Sequence, residues 1–80
     1  MTDLLADLHD VDGWGGLTSH QQAVLFVVYQ DHARAYEEAR IANMVRVAAD
    51  PYNEDQVCVY YQDGCYRYGL ETYDGRSIWY

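Results

Sequence analysis

The pattern of apolar and polar positions changes period near residue 50. Upstream the period is helical. Leu4, Leu5 and Leu8 fall on one face of a short N-terminal helix, with Thr2 as its N-cap and Asp3 and Asp7 near its positive end. "DVDGWGG" then breaks the chain as a turn-rich loop in which Trp14 plugs an edge of the core. The main helix opens on a capping box, Thr18 with Gln21 or Ser19 with Gln22, and Leu17 can staple its first turn. Its segment "AVLFVVY" is apolar all round, which predicts burial on most sides. Leu25, Val28, Tyr29, His32, Tyr36 and Ala39 share one broad face. Arg34, Glu37, Glu38 and Arg40 lie elsewhere and can pair at i,i+3 and i,i+4 spacing as a solvated face. The apolar stripe then moves to Ile41, Met44, Val45 and Ala48, so the helix ends or kinks between residues 37 and 43. Residues 44–48 are assigned to a second helical segment, with a short strand as the alternative, and Pro51 ends it.

Downstream of the "PYNED" loop the period is that of strands. "QVCVYYQ" and "CYRYGL" flank Asp63-Gly64, and "LETY" and "RSIWY" flank Asp74-Gly75. Asp-Gly between β-rich runs signals a two-residue hairpin turn. The expected fold is therefore α+β. One main helix, kinked or split, packs on a three-stranded antiparallel sheet, and a short N-terminal helix precedes it. Residues 1–80 form a single domain, helical over 1–50 and a β meander over 56–80.

Two-residue turns fix the register, and the register fixes the faces. Tyr61 would oppose Tyr66, Val59 oppose Tyr68, Val57 oppose Leu70, and Leu70 oppose Trp79 in turn. The core face then carries Val57, Val59, Tyr61, Tyr66, Tyr68, Leu70 and Trp79. The other face carries Tyr60, Arg67, Tyr73, Arg76 and Tyr80, along with Cys58 and Cys65. Tyrosine and arginine are enriched at binding hot spots. Such a face is a partner interface, a decorated solvent face, or a face covered by the N-terminal helix. The same register separates Cys58 and Cys65 by roughly 13 Å along the strands, too far for a disulfide, so both are expected as free thiols.

Charge adds the strongest global fact. Thirteen acidic residues oppose five basic ones, all arginine, for a net charge of −8. Nucleic-acid phosphates and anionic membranes repel such a chain, whereas a basic protein surface attracts it. No direct nucleic-acid or membrane partner is expected. No stretch approaches the ~20 apolar residues of a membrane span, and "MTDLLADLHD" is too acidic for a secretory signal, so the expected compartment is the cytoplasm.

Motifs that carry chemistry are missing from the chain. Placing Gly13 at the sixth position of a calcium loop puts Leu8 at the first and Ser19 at the twelfth, which loses both ligands. His9, His20 and His32 are scattered, and His32 on the apolar helix face reads as a hydrogen-bonded residue at the core edge. No Walker loop, nucleophile elbow or H-E-x-x-H sequence occurs. The expectation is a non-enzymatic protein without cofactor or metal. An enzyme would need a mechanism that these residues do not offer.

A small, acidic, lysine-free single domain with a tyrosine-rich sheet resembles the anti-CRISPR proteins of bacteriophages. The resemblance spans the whole chain and is one of size, charge and architecture, with no shared motif. It implies binding to a bacterial CRISPR effector, a type I surveillance complex first among them, and obstruction of its access to target DNA in the bacterial host's cytoplasm. The candidate acids for a basic groove are Asp31, Glu37 and Glu38 on the helix, Glu54 and Asp55 in the loop, and Asp63 and Asp74 at the turns. Tyr60, Arg67, Tyr73 and Arg76 would supply desolvated contacts between them. The alternatives are a small structural or regulatory homodimer and an antitoxin-like inhibitor of another basic protein.

Overall fold

Among the described residues four strands, not three, make the sheet. A computed structural model describes residues 4–36, 39–71 and 75–80 of the chain. Helix α1 spans Leu4–His9, and a 3₁₀ turn at Trp14–Gly16 leads into helix α2, Ser19–Ala35. A 3₁₀ turn at Ile41–Asn43 opens onto strand β1, Met44–Ala49. Strands β2, Val57–Tyr61, β3, Gly64–Leu70, and β4, Ser77–Trp79, follow. The sheet is antiparallel throughout, in the order β1-β2-β3-β4.

The segment assigned to a second helix is therefore β1, and residues 1–50 are not all helical. The physical reason lies in β2. Val57, Val59 and Tyr61 are buried against the core and Cys58 is buried on the opposite face, which marks β2 as a central strand. A central strand needs a hydrogen-bonding neighbour on each side. Strand β3 takes one side and the β-branched run around Val45 and Val47 takes the other. The register of β1 slips between Met44 and Arg46, a bulge that leaves Val45 exposed. On the outer side of β1, the Val47 N–H donates to the Asp12 carbonyl at 2.8 Å, so the glycine loop partly covers that edge.

Helix α2 begins at the Thr18–Gln21 capping box, the first of the two offered. The Thr18 Oγ1 accepts from Gln21 N at 3.1 Å, and Gln21 Oε1 accepts from Thr18 N at 2.9 Å. The buried Gln21 side chain also donates to the Glu54 carbonyl at 3.0 Å, tying the helix start to the loop before β2. The helix ends at Ala35, just ahead of the expected window, where Tyr36 turns to an extended backbone. Its apolar segment is buried on most sides: Val24, Leu25, Val28 and Tyr29 face the core and Phe26 packs against it, whereas Ala23 and Val27 are exposed. Leu8, Trp14 and Leu17 close the core beside that face, and Val47, Val57, Val59, Tyr61 and Tyr68 rise to meet it from the sheet.

Both hairpin registers differ from expectation by two residues. Tyr61 opposes Gly64 and Val59 opposes Tyr66, so Gln62 and Asp63 form the turn and Gly64 begins the strand. Neither turn residue has positive φ, so the left-handed conformation that Asp-Gly favours is unused. Between β3 and β4 the Glu71 N–H donates to the Arg76 carbonyl at 2.8 Å, and Leu70 opposes Ser77 rather than Trp79. The expected turn at Asp74-Gly75 lies partly outside the described residues, of which Gly75 has φ +67°. A slip of two residues leaves each side chain on its own face. It sets Tyr68 between Val57 and Trp79, under His32.

Candidate functional site

Two regions gather chemistry. The first lies where the end of α2 meets the β2–β3 hairpin. His32 is 1% exposed and Tyr68 0%. The His32 Nδ1 lies 2.6 Å from the Tyr68 hydroxyl, which lies 2.5 Å from the Tyr61 hydroxyl. Tyr61 in turn donates to the Ala39 carbonyl at 3.2 Å. Tyr61 has one proton to give, so with that proton on Ala39 the chain has a single direction. Tyr68 donates to Tyr61, and His32 donates from Nδ1 to Tyr68. The imidazole is then the neutral Nδ1–H tautomer, with Nε2 as its acceptor.

Rings surround that imidazole. Trp79 stacks on it at 5.0 Å between centroids, and Tyr66 meets it edge-on at 4.7 Å. Tyr36 and Tyr61 approach edge-on at 5.8 and 6.0 Å. An open cleft of about 190 Å³ lies beside them, lined by His32, Tyr36, Ala39, Tyr61, Asp63 and Tyr66. Burial pushes the Tyr61 and Tyr68 phenols well above their ordinary value, so both stay protonated at neutral pH.

Burial also holds the His32 imidazole below its ordinary pKa of 6.5, because the charged ring would lose its hydration. Below pH 6.5 the unfolded chain therefore binds a proton that the native state resists. This group leaves stability unchanged above its unfolded pKa and lowers it as the pH falls through that value. Urea unfolding between pH 7 and pH 5 is expected to show this loss, with a slope of at most about 1.4 kcal/mol per pH unit. His32→Gln is expected to flatten the slope; an unchanged slope would assign it to other groups.

The second region is the outer face of the sheet. Helix α1 does not cover it, because Leu4 and Leu8 turn α1 toward the core beside Trp14 and Tyr29. Tyr60 is half-buried, and Cys65, Arg67 and Tyr80 are exposed. A depression of about 320 Å³ is lined by Cys58, Tyr60, Cys65, Tyr66, Arg67 and Tyr80. The arginines here have partners within the molecule. The Arg46 guanidinium lies 4.1 Å from the centre of the Tyr60 ring on the neighbouring strand. Arg67 Nε lies 3.4 Å from the buried Asp50 carboxylate. A hydrogen bond with Cys58 and the charge of Asp50 both favour the charged guanidinium. Both cysteines are free, Cys58 buried and Cys65 exposed. In the observed register Cys65 opposes Tyr60, so the two thiols are offset by roughly 7 Å along the strands, half the expected separation.

The expected partner-binding residues do not form one patch. Tyr60 and Arg67 share the outer face. Glu54 and Asp55 are exposed in the loop before β2, where Asp55 lies 3.5 Å from His20. Asp63 is exposed at the other end of β2, so the two acidic positions stand roughly 20 Å apart at ~3.3 Å per residue. Asp31 is half-buried and accepts from Ser77 Oγ, which ties β4 to α2 and makes it a structural acid. Arg76 is exposed beyond the β3–β4 connection. Glu37, Glu38, Tyr73 and Asp74, like the Thr2 cap and Asp3, lie outside the described residues.

The cleft residues Tyr36, Tyr61 and Tyr66 were absent from the expected site, although a signal for them exists. Their positions fall on faces assigned to the core, yet each brings a hydroxyl that a core must pair or leave wet. Among the described residues, no group of three or more His, Cys, Asp or Glu side chains could hold a metal ion, and no helix is long and apolar enough to cross a membrane. Family models, curated proteins and solved structures yield no match to this chain.

Proposed function

We propose that this protein is a non-enzymatic inhibitor that docks on a basic, nucleic-acid-binding protein surface and keeps DNA from it, in the manner of a DNA mimic. The observation that carries this reading is the distribution of charge. Asp10, Asp12, Glu54, Asp55, Asp63 and Glu71 are exposed carboxylates spread around the domain. On the outer sheet face, Arg46 is stacked on Tyr60 and Arg67 is paired with Asp50. The loop and hairpin acids are farther apart than the ~8 Å screening length at physiological salt, so they act as separate poles on a long basic groove. Tyr60 and Tyr80 lie on the face between them and add apolar contact area with a hydroxyl rim. The partner class to which the resemblance in size, charge and architecture points is a bacterial CRISPR effector, with the type I surveillance complex first.

The test is displacement of target DNA from a purified type I surveillance complex, followed by mobility shift. Displacement by the parent chain at low salt is expected. The double variant Glu54→Lys/Asp55→Lys is expected to associate about tenfold more slowly, because steering depends on charge. Tyr60→Ala is expected to act on dissociation instead. No displacement at large excess sinks the CRISPR assignment. Association that ignores both salt and the charge reversal sinks the basic-surface reading as a whole.

A further inference from the structure

We propose that the cleft between the end of α2 and the β2–β3 hairpin is a receptor for one arginine side chain of the basic partner, an inference that rests on the reading above for where that arginine comes from. Five of the six described lining residues are aromatic or acidic, and the sixth is Ala39. Tyr36, Tyr61 and Tyr66 line it with aromatic rings, the groups on which a cation stacks, and the Tyr61 and Tyr66 rings meet edge to face, 79° apart. Asp63 brings a carboxylate to the rim and is exposed at the tip of the hairpin. His32 forms part of the lining as a neutral ring whose proton is committed to Tyr68, so it does not repel an incoming charge. None of the described lining residues is a lysine or arginine.

Size and shape narrow the ligand. A volume of about 190 Å³ lies under the ~300 Å³ at which pockets for drug-sized molecules begin, and suits a single side-chain head. Guanidinium fits better than ammonium. It is planar, weakly hydrated and able to stack on a ring while its edge donates two hydrogen bonds to a carboxylate. Lysine would have to shed a tightly held hydration shell for a point contact. The molecule already uses the preferred pairing on its outer face, where Arg46 stacks on Tyr60. Entry is open: Tyr36 is 56% exposed at the mouth, while Tyr61 and His32 close the floor.

The probe is Nα-acetyl-arginine amide, titrated into the isotope-labelled full chain and followed by NMR. Saturable shifts confined to His32, Tyr36, Tyr61, Asp63 and Tyr66 are expected in the millimolar range. Nα-acetyl-citrulline amide, the neutral analogue of the same shape, is expected to produce none, and the lysine analogue to bind at least threefold more weakly. Asp63→Asn is expected to raise the dissociation constant about fivefold and Tyr36→Ala about threefold. Both residues are exposed, so these variants keep the fold. Equal shifts with citrulline, shifts elsewhere on the molecule, or an unchanged constant in Asp63→Asn would overturn the proposal. Because the probe is a free amino-acid derivative, its failure leaves the basic-surface reading standing. Conversely, arginine binding without displacement of DNA from any effector keeps the cleft and removes that partner.

Discussion

Gly13→Ala is expected to remove most of the stability of this protein. Gly13 has φ +94°, a backbone conformation that L-residues rarely adopt. A Cβ at this position would sit 1.9 Å from the Val47 carbonyl oxygen, far inside van der Waals contact. The neighbour is backbone of β1, not the end of a flexible side chain, so it cannot swing away. Relief would require the loop to retreat from the strand. That retreat would break the 2.8 Å hydrogen bond from Val47 N to the Asp12 carbonyl and draw Trp14 out of the core. Strain of this kind costs about 1–3 kcal/mol before the lost contacts are added. A domain of this size holds only about 3–5 kcal/mol in hand. The measurement is a urea midpoint by circular dichroism. A midpoint within experimental error of the parent would mean that the loop does not approach β1 as described. Gly15→Ala is the control, because nothing lies within 4 Å of a Cβ there.

Tyr68→Phe is expected to cost about 1–3 kcal/mol, although it removes a single oxygen atom. That oxygen joins His32 to Tyr61 in a fully buried chain. Without it, the His32 Nδ1–H has no acceptor and the Tyr61 hydroxyl loses its donor. Each orphaned group then bears the desolvation it suffered on folding. Tyr68→Ala adds the cavity of a whole ring and is expected to cost about 3–5 kcal/mol, enough to unfold the chain. The informative variant is Tyr68→Phe/His32→Phe, which replaces both polar partners with apolar rings. Measured by urea unfolding, it should recover part of the loss. A double variant as unstable as the sum of the singles would mean that the two groups are not coupled.

Much of the architecture is legible in local signals. The Thr18–Gln21 box and the apolar stripe through Leu25, Val28, Tyr29 and His32 specify where α2 starts and which face it buries, because both depend only on residues within a turn or two. The alternation through β2 and β3 specifies the two faces of the sheet. It does so even though both registers slipped, since a two-residue slip preserves the side of every residue. Net charge, the lack of lysine and the lack of catalytic motifs are properties of composition and need no fold.

What tertiary structure decided is where elements met partners distant in sequence. Residues 44–49 carry no strong periodicity of their own, and their state was set by the open side of β2, which needed a hydrogen-bonding neighbour. The hairpin turn moved from Asp63-Gly64 to Gln62-Asp63 because pairing along the whole sheet, with Tyr68 held between Val57 and Trp79 beneath His32, outweighed one favourable dipeptide. The arginine cleft belongs to this second kind. Tyr36, Tyr61, Asp63 and Tyr66 come from the end of a helix, two strands and the turn between them, and each alone reads as core, turn or surface. Only the packing of α2 across β3 sets them around one space, with Tyr61 buried at its floor and Tyr36 and Asp63 exposed at its mouth.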